Sequence, residues 1–328
     1  MIKKTWGFAL AVMLVMLFVY ASLASAFTTG VYEKGFLVPV TVHNGMGLDT
    51  VVGVTCTGLE KAHDEMTVYW TFFDKNSHPV VDGQFTCSNN DLEGFSLNQS
   101  TNNIQGVEGY LVFTADKLDK CGGVIAGNAF LIDLGNNDAI FVPVIPLSKG
   151  DYKSGTDVSS MNADSIQSLS YGLVNDPESF VDVRYWMDPD FNAKTNIVIW
   201  STACLEDEVG TDNCYEDEAT KEFKCHVNAY DDDENRQSVS LPLGCELTTI
   251  DPSEVVGWPA FKDGFVRIPI DNLMPSRDSG AFVFSYITSD AFGAAQTLLA
   301  AQSGVCNGRP GPDQPASGDS NNGTSGSR

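Results

Sequence analysis

Three short segments concentrate side-chain oxygens of the kind that hold a hard cation: Asp231-Asp232-Asp233-Glu234-Asn235, Asp188-Pro189-Asp190-Phe191-Asn192 and Asn136-Asn137-Asp138. Calcium takes about six to eight oxygen ligands, and Asp231, Asp233 and Asn235 form the densest set, so they are the candidate calcium ligands. The second segment opens as an EF-hand loop does and then departs from it. Ala193 stands where the turn glycine belongs and Ile199 where the bidentate glutamate belongs. A solvated hairpin tip has the same composition, so calcium is a candidate and no cofactor is assigned.

Nucleophilic catalysis requires a base held beside a hydroxyl or thiol, and the chain has four histidines, His43, His63, His78 and His226. No G-x-S-x-G elbow and no zinc spacing of the H-x-x-x-H or C-x-x-C kind occurs. Paired carboxylates for glycoside hydrolysis cannot be singled out among 43 acids. No catalytic residue is therefore named. Flat rings on a β face can instead stack on sugars or pack on a partner. Most strand aromatics, among them Tyr69, Tyr185, Trp186 and Trp200, alternate with apolar neighbours and read as core. Trp258 in Gly257-Trp258-Pro259 lies in a loop signal and is the candidate exposed ligand-binding ring.

The elements that must position these groups are strands. Runs of five to eight Val, Ile, Phe, Tyr and Trp residues are separated by Gly/Asn/Asp turns, which predicts antiparallel sheets in an all-β fold. The two halves repeat one order. Val38–Val42 and Thr50–Thr55 precede Cys56, as Val181–Trp186 and Ile197–Thr202 precede Cys204. Strands ending at Asp74 and Asp231 are followed by Cys87 and Cys245, and Ala129-Phe130 and Ala281-Phe282 by Asp138-Ala139 and Asp290-Ala291. The reading is two tandem antiparallel β-sandwich domains related by internal duplication, over residues 27–147 and 179–306, with a polar linker at 148–178 and a disordered tail at 307–328. Trp70 follows Cys56 as in an immunoglobulin domain, but Cys87 comes too soon for that fold's inter-sheet bridge. The likeness is one of architecture alone.

Residues 1–26 combine Lys3 and Lys4, an apolar run and the small-residue end Ala24-Ser25-Ala26, the pattern of a bacterial-type signal peptide. Export to the periplasm or the medium is expected. Eight cysteines in an oxidising compartment read as bridges. The repeat pairs Cys56 with Cys87 and Cys204 with Cys245, an inserted hairpin pairs Cys214 with Cys225, and elimination pairs Cys121 with Cys306. A net charge of −24 argues against nucleic acid and anionic lipid as partners, and no apolar run is long enough for membrane insertion. The expected function is a secreted, non-catalytic β-sandwich protein with a structural or surface-interaction role. The alternatives are a carbohydrate-binding or calcium-dependent adhesion module and a carboxylate-dependent hydrolase. A glycan, a protein, or a second copy paired through open sheet edges are the partners in view.

Overall fold

The computed structural model describes residues 31–43, 48–61, 63–97, 104–115, 123–133, 135, 138–147, 180–201, 214–218, 222–244, 246–273 and 280–303. The signal-like segment, the linker, the tail, Asn136, Asn137 and Cys121, Cys204, Cys245 and Cys306 lie outside these residues, so the two bridges assigned to those cysteines do too. All regular structure among the described residues is strand or short 3-10 turn, and no helix among them is long and apolar enough to cross a membrane.

The first half consists of β1 (Gly35–Val42), β2 (Leu48–Thr57), β3 (Glu65–Asp74), β4 (Pro79–Ser88), β5 (Asp91–Ser96), β6 (Glu108–Ala115), β7 (Val124–Asp133), β8 (Asp138–Val142) and β9 (Ile145–Leu147). The second consists of β10 (Phe180–Trp186), β11 (Ala193–Ser201), β12 (Cys214–Glu216), β13 (Phe223–Asp231), β14 (Arg236–Pro242), β15 (Leu247–Ile250), β16 (Asp263–Pro269), β17 (Ala281–Ser289), β18 (Ala294–Leu299) and β19 (Ala301–Ser303). Each half forms two antiparallel sheets. The first half orders its strands β4-β3-β6-β1-β9 and β5-β2-β7-β8. With β12 set aside, the second orders them β14-β13-β16-β10-β19 and β15-β11-β17-β18, the same sequence of steps.

Local chemistry repeats as well. The buried hydroxyl of Thr50 accepts the Val42 N–H at 2.8 Å and donates to the Val42 carbonyl at 2.9 Å, and Thr195 does both to Trp186 at 2.8 Å. The Asp74 carboxylate accepts the N–H groups of Asn76 and His78, each at 2.9 Å, while Ser77 takes a left-handed φ of 58°. Asp231 likewise accepts from Asp233 at 3.0 Å and Asn235 at 2.8 Å, with Glu234 at φ 62°. An aspartate that satisfies the backbone of its own turn fixes where each hairpin reverses.

On β7 and β17 the hydrogen bonds depart from the sequence spacing. Thr50 pairs with Leu131 and Thr195 with Ile287, and the closing pairs are Asp133 with Asp138 and Ser289 with Ala294. Position 131 thus corresponds to 287, four residues away from the match of Phe130 with Phe282. Side chains in a strand alternate with period two, so a slip of four leaves every inward residue inward and escapes a pattern search.

Cys56 is bonded to Cys87 and Cys214 to Cys225. Cys56 and Cys87 are fully buried in the first core, joining β2 in one sheet to β4 in the other. Cys214–Cys225 joins neighbouring strands β12 and β13. The bonds span 31 and 11 residues of chain respectively. Loop-closure entropy then predicts that replacing both members of the pair by Ala costs roughly 2–4 kcal/mol in each case, with the Cys56–Cys87 loss larger by about 1 kcal/mol. Urea midpoints of the two double variants test the ordering.

The second half supplies part of the core of the first. Strands β1 and β6 are buried on both faces. Phe36 and Phe113 stack on each other at 4.8 Å, and Phe113 meets Phe95 of the facing sheet at 5.0 Å. From the opposite face of β6, Tyr110 meets Trp200 of β11 edge-on at 5.9 Å. Along β11 and β17, Val198, Trp200, Phe282, Phe284 and Tyr286 belong to the core of the first half, whereas the alternating Ile197, Ile199, Ala281 and Val283 belong to that of the second. The inner strands β11 and β17 of this sheet are therefore apolar on both sides over Ile197–Trp200 and Ala281–Phe284, as strands covered twice must be.

Candidate functional site

The Asp231, Asp233 and Asn235 set lies at the tip of the β13–β14 hairpin. Asp231 is engaged by its own turn, including the Asn235 side-chain amide at 2.8 Å, and these bonds hold its carboxyl below the usual carboxylate range. Among the described residues no three His, Cys, Asp or Glu side chains converge as a cation site would require. Trp258 is half-buried, with its ring edge-on to Tyr185 at 5.2 Å at the margin of the second core. Its indole N–H is buried without a partner.

The histidines do not assemble a relay. His43 meets Asp49 at 3.1 Å and His78 meets Asp74 at 3.3 Å, in each case beside a turn. His226 meets the Ser240 hydroxyl at 3.0 Å on an exposed sheet face, but among the described residues no carboxylate holds its ring. The orienting third group of a hydrolytic triad is missing there.

A different cluster forms at one end of the second half, built from two turns far apart in sequence. Trp186 closes β10. Asp188 then caps the 3-10 turn Pro189–Phe191 by accepting the Asp190 N–H at 3.0 Å, and Asn192 ends it with φ 45°. Phe292 projects from the turn between β17 and β18. Ser289 ties the turns together by donating to the Phe191 carbonyl at 2.8 Å, and the Asn192 amide donates to Asp290. Three rings meet as a result: Phe191 and Phe292 at 5.3 Å and 17° between planes, Trp186 and Phe292 at 6.2 Å and 23°, and Trp186 and Phe191 at 5.6 Å. Phe292 is 62 % exposed and Phe191 39 %, which is unusual for rings that had other places to pack.

Beside the rings runs an open cleft of about 450 Å³ bounded by Trp186, Phe292, Arg184, Asp263 and Gln296. Arg184 grips both oxygens of Asp263, at 2.7 and 2.8 Å, and reaches Asp232 at 3.5 Å. Partial burial, with Asp232 adding to it, raises the Asp263 carboxyl above its ordinary range against the pull of Arg184. On the other flank Lys262 binds Asp188 at 2.9 Å and Asp190 at 3.0 Å. Its hydrogen bond holds the Asp188 carboxyl down, and the two aspartates hold the Lys262 ammonium up. The segment that opened like an EF-hand loop is thus a capped turn closed by a lysine.

Sequence reasoning missed Phe191 and Phe292 because neither lies in a strand. One signal was present: a ring within two residues of Pro or Gly in an acidic turn serves neither the turn nor a sheet. A scan of family models, a search of curated proteins and a search of solved structures each returned no match to this chain.

Proposed function

We propose that this chain is an exported, non-catalytic protein of two disulfide-stapled β-sandwiches, immunoglobulin-like in architecture and related by internal duplication, that binds carbohydrate at the Trp186/Phe191/Phe292 cluster. The exposed three-ring cluster carries this reading. Pyranose rings present C–H faces that lie on aromatic surface, and their hydroxyls pair with fixed carboxylate and guanidinium groups such as Asp263 and Arg184. The matched strand order, the paired Thr50 and Thr195 and the paired Asp74 and Asp231 turns support duplication. The signal-like N-terminus and the cysteine content support export.

Glycan-array screening followed by calorimetry on the best hit tests the reading. Trp186→Ala and Phe292→Ala are each expected to weaken binding about tenfold, equivalent to about 1.4 kcal/mol, with the thermal midpoint close to the parent's. Binding unchanged in both variants, or no glycan bound by the parent, overturns it. A second reading, cleavage of the bound glycan, would use Asp263 as the acid, because burial and the neighbouring Asp232 raise its carboxyl. Release of reducing ends from the bound glycan, abolished in Asp263→Asn, replaces binding with hydrolysis.

A further inference from the structure

We propose that Glu246 is a proton-operated latch between the two halves: protonated, it keeps the splice at Leu247 shut, and ionised, it lets that splice open. Glu246 is only 7 % exposed, and its Oε2 has no hydrogen-bond partner. It stands one residue before Leu247, whose N–H donates across the junction to the Lys75 carbonyl at 3.3 Å. Its own carbonyl accepts the Ser201 N–H at 2.8 Å, which anchors its backbone to β11. The groups facing it come from the first half: Asp74, Ser77 and His78 of the β3–β4 turn, and Tyr110 of β6, whose hydroxyl lies 2.5 Å from that of Ser77.

A carboxylate so placed has exchanged water for its own backbone N–H, one hydroxyl and one adverse neighbour. Burial pushes its carboxyl above the ordinary value of 4.5 and Asp74 adds to the push, whereas the Glu246 backbone N–H, the Ser77 hydrogen bond and His78 oppose it. The sign follows. A carboxyl that binds its proton more tightly in the closed state favours closure at low pH, and this contribution is lost as pH rises through the raised value. Beside the splice lies an open cleft of about 350 Å³ lined by Lys75, Glu108, Glu222 and Leu247, so water stands one residue away from the buried carboxyl. Release is local, because the apolar contact of Trp200 with Tyr110 does not titrate in this range.

Hydrogen exchange on the full chain between pH 5 and 8, corrected for the intrinsic rate, reads the latch at the Leu247 amide. Protection is expected to fall by up to tenfold per pH unit in the parent, to stay level in Glu246→Gln, and still to fall, at somewhat higher pH, in His78→Ala. A level parent, an unchanged fall in Glu246→Gln, or a fall abolished by His78→Ala overturns the proposal. Should Glu246→Gln not fold, carboxyl NMR of the parent decides: titration of Glu246 above 4.5 in step with Leu247 protection supports the latch, and titration at or below it overturns the latch.

Discussion

Gly264→Ala and Gly109→Ala are each expected to cost about 3 kcal/mol or more, a large share of the roughly 5–15 kcal/mol that holds a typical domain folded. A Cβ on Gly264 would lie 1.8 Å from the Tyr230 carbonyl oxygen, and one on Gly109 would lie 1.9 Å from that of Phe73. Both obstacles are backbone in a central strand, so no rotamer change relieves them. Each glycine pairs with the aspartate that starts a hairpin turn, Asp231 in one half and Asp74 in the other. The next pair on each ladder is an aromatic stack, Tyr230 on Phe265 at 4.7 Å and Phe73 on Tyr110 at 5.1 Å. The missing side chain lets the strands close on that stack. Gly94→Ala is the control, since nothing lies within 4 Å of its added carbon. Urea denaturation checks all three, and a loss below about 1 kcal/mol at Gly264 or Gly109 contradicts the account.

Trp200→Ala is expected to cost about 3–5 kcal/mol and to split unfolding into two steps. Trp200 is 1 % exposed and is the largest side chain that the second half contributes to the core of the first. While that contact persists, neither half unfolds without baring apolar surface on the other, so the parent should melt in a single transition. Removing the indole leaves a cavity at the junction and lowers the coupling below the stability of either half. Trp200→Phe separates shape from polarity. The indole N–H is buried without a partner, so losing it offsets part of the lost ring area, and a change within about 1.5 kcal/mol is expected. Calorimetry of the three proteins gives the answer, and one unsplit transition in Trp200→Ala refutes the coupling.

The strands were legible in the sequence because alternation and turn chemistry are local. Thr50-Val51-Val52-Gly53-Val54 buries every second residue, as its pattern requires. The ends at Asp74 and Asp231 were legible for the same reason, since each turn is closed by its own aspartate. The junction was not. Ala281-Phe282-Val283-Phe284-Ser285-Tyr286 is continuously apolar apart from one serine, and such a run says that both faces are covered without saying by what. The four-residue slip in matching the halves has the same origin. The order of cysteines led to an alignment of Cys56 with Cys204, whereas the threonine contacts put Ser201 at the place of Cys56. The ring cluster was illegible because Trp186 reads as core, and Phe191 and Phe292 meet only after two turns are brought together.

The doubly covered strands also constrain how the protein is born. A ribosome releases the first half while Trp200 is still unmade, so Tyr110 waits against water with its cover missing. A nascent intermediate with a greasy flank sticks to its neighbours unless something holds it. A message truncated between the halves would accordingly yield a product that is cleared or precipitates, and never a smaller working molecule.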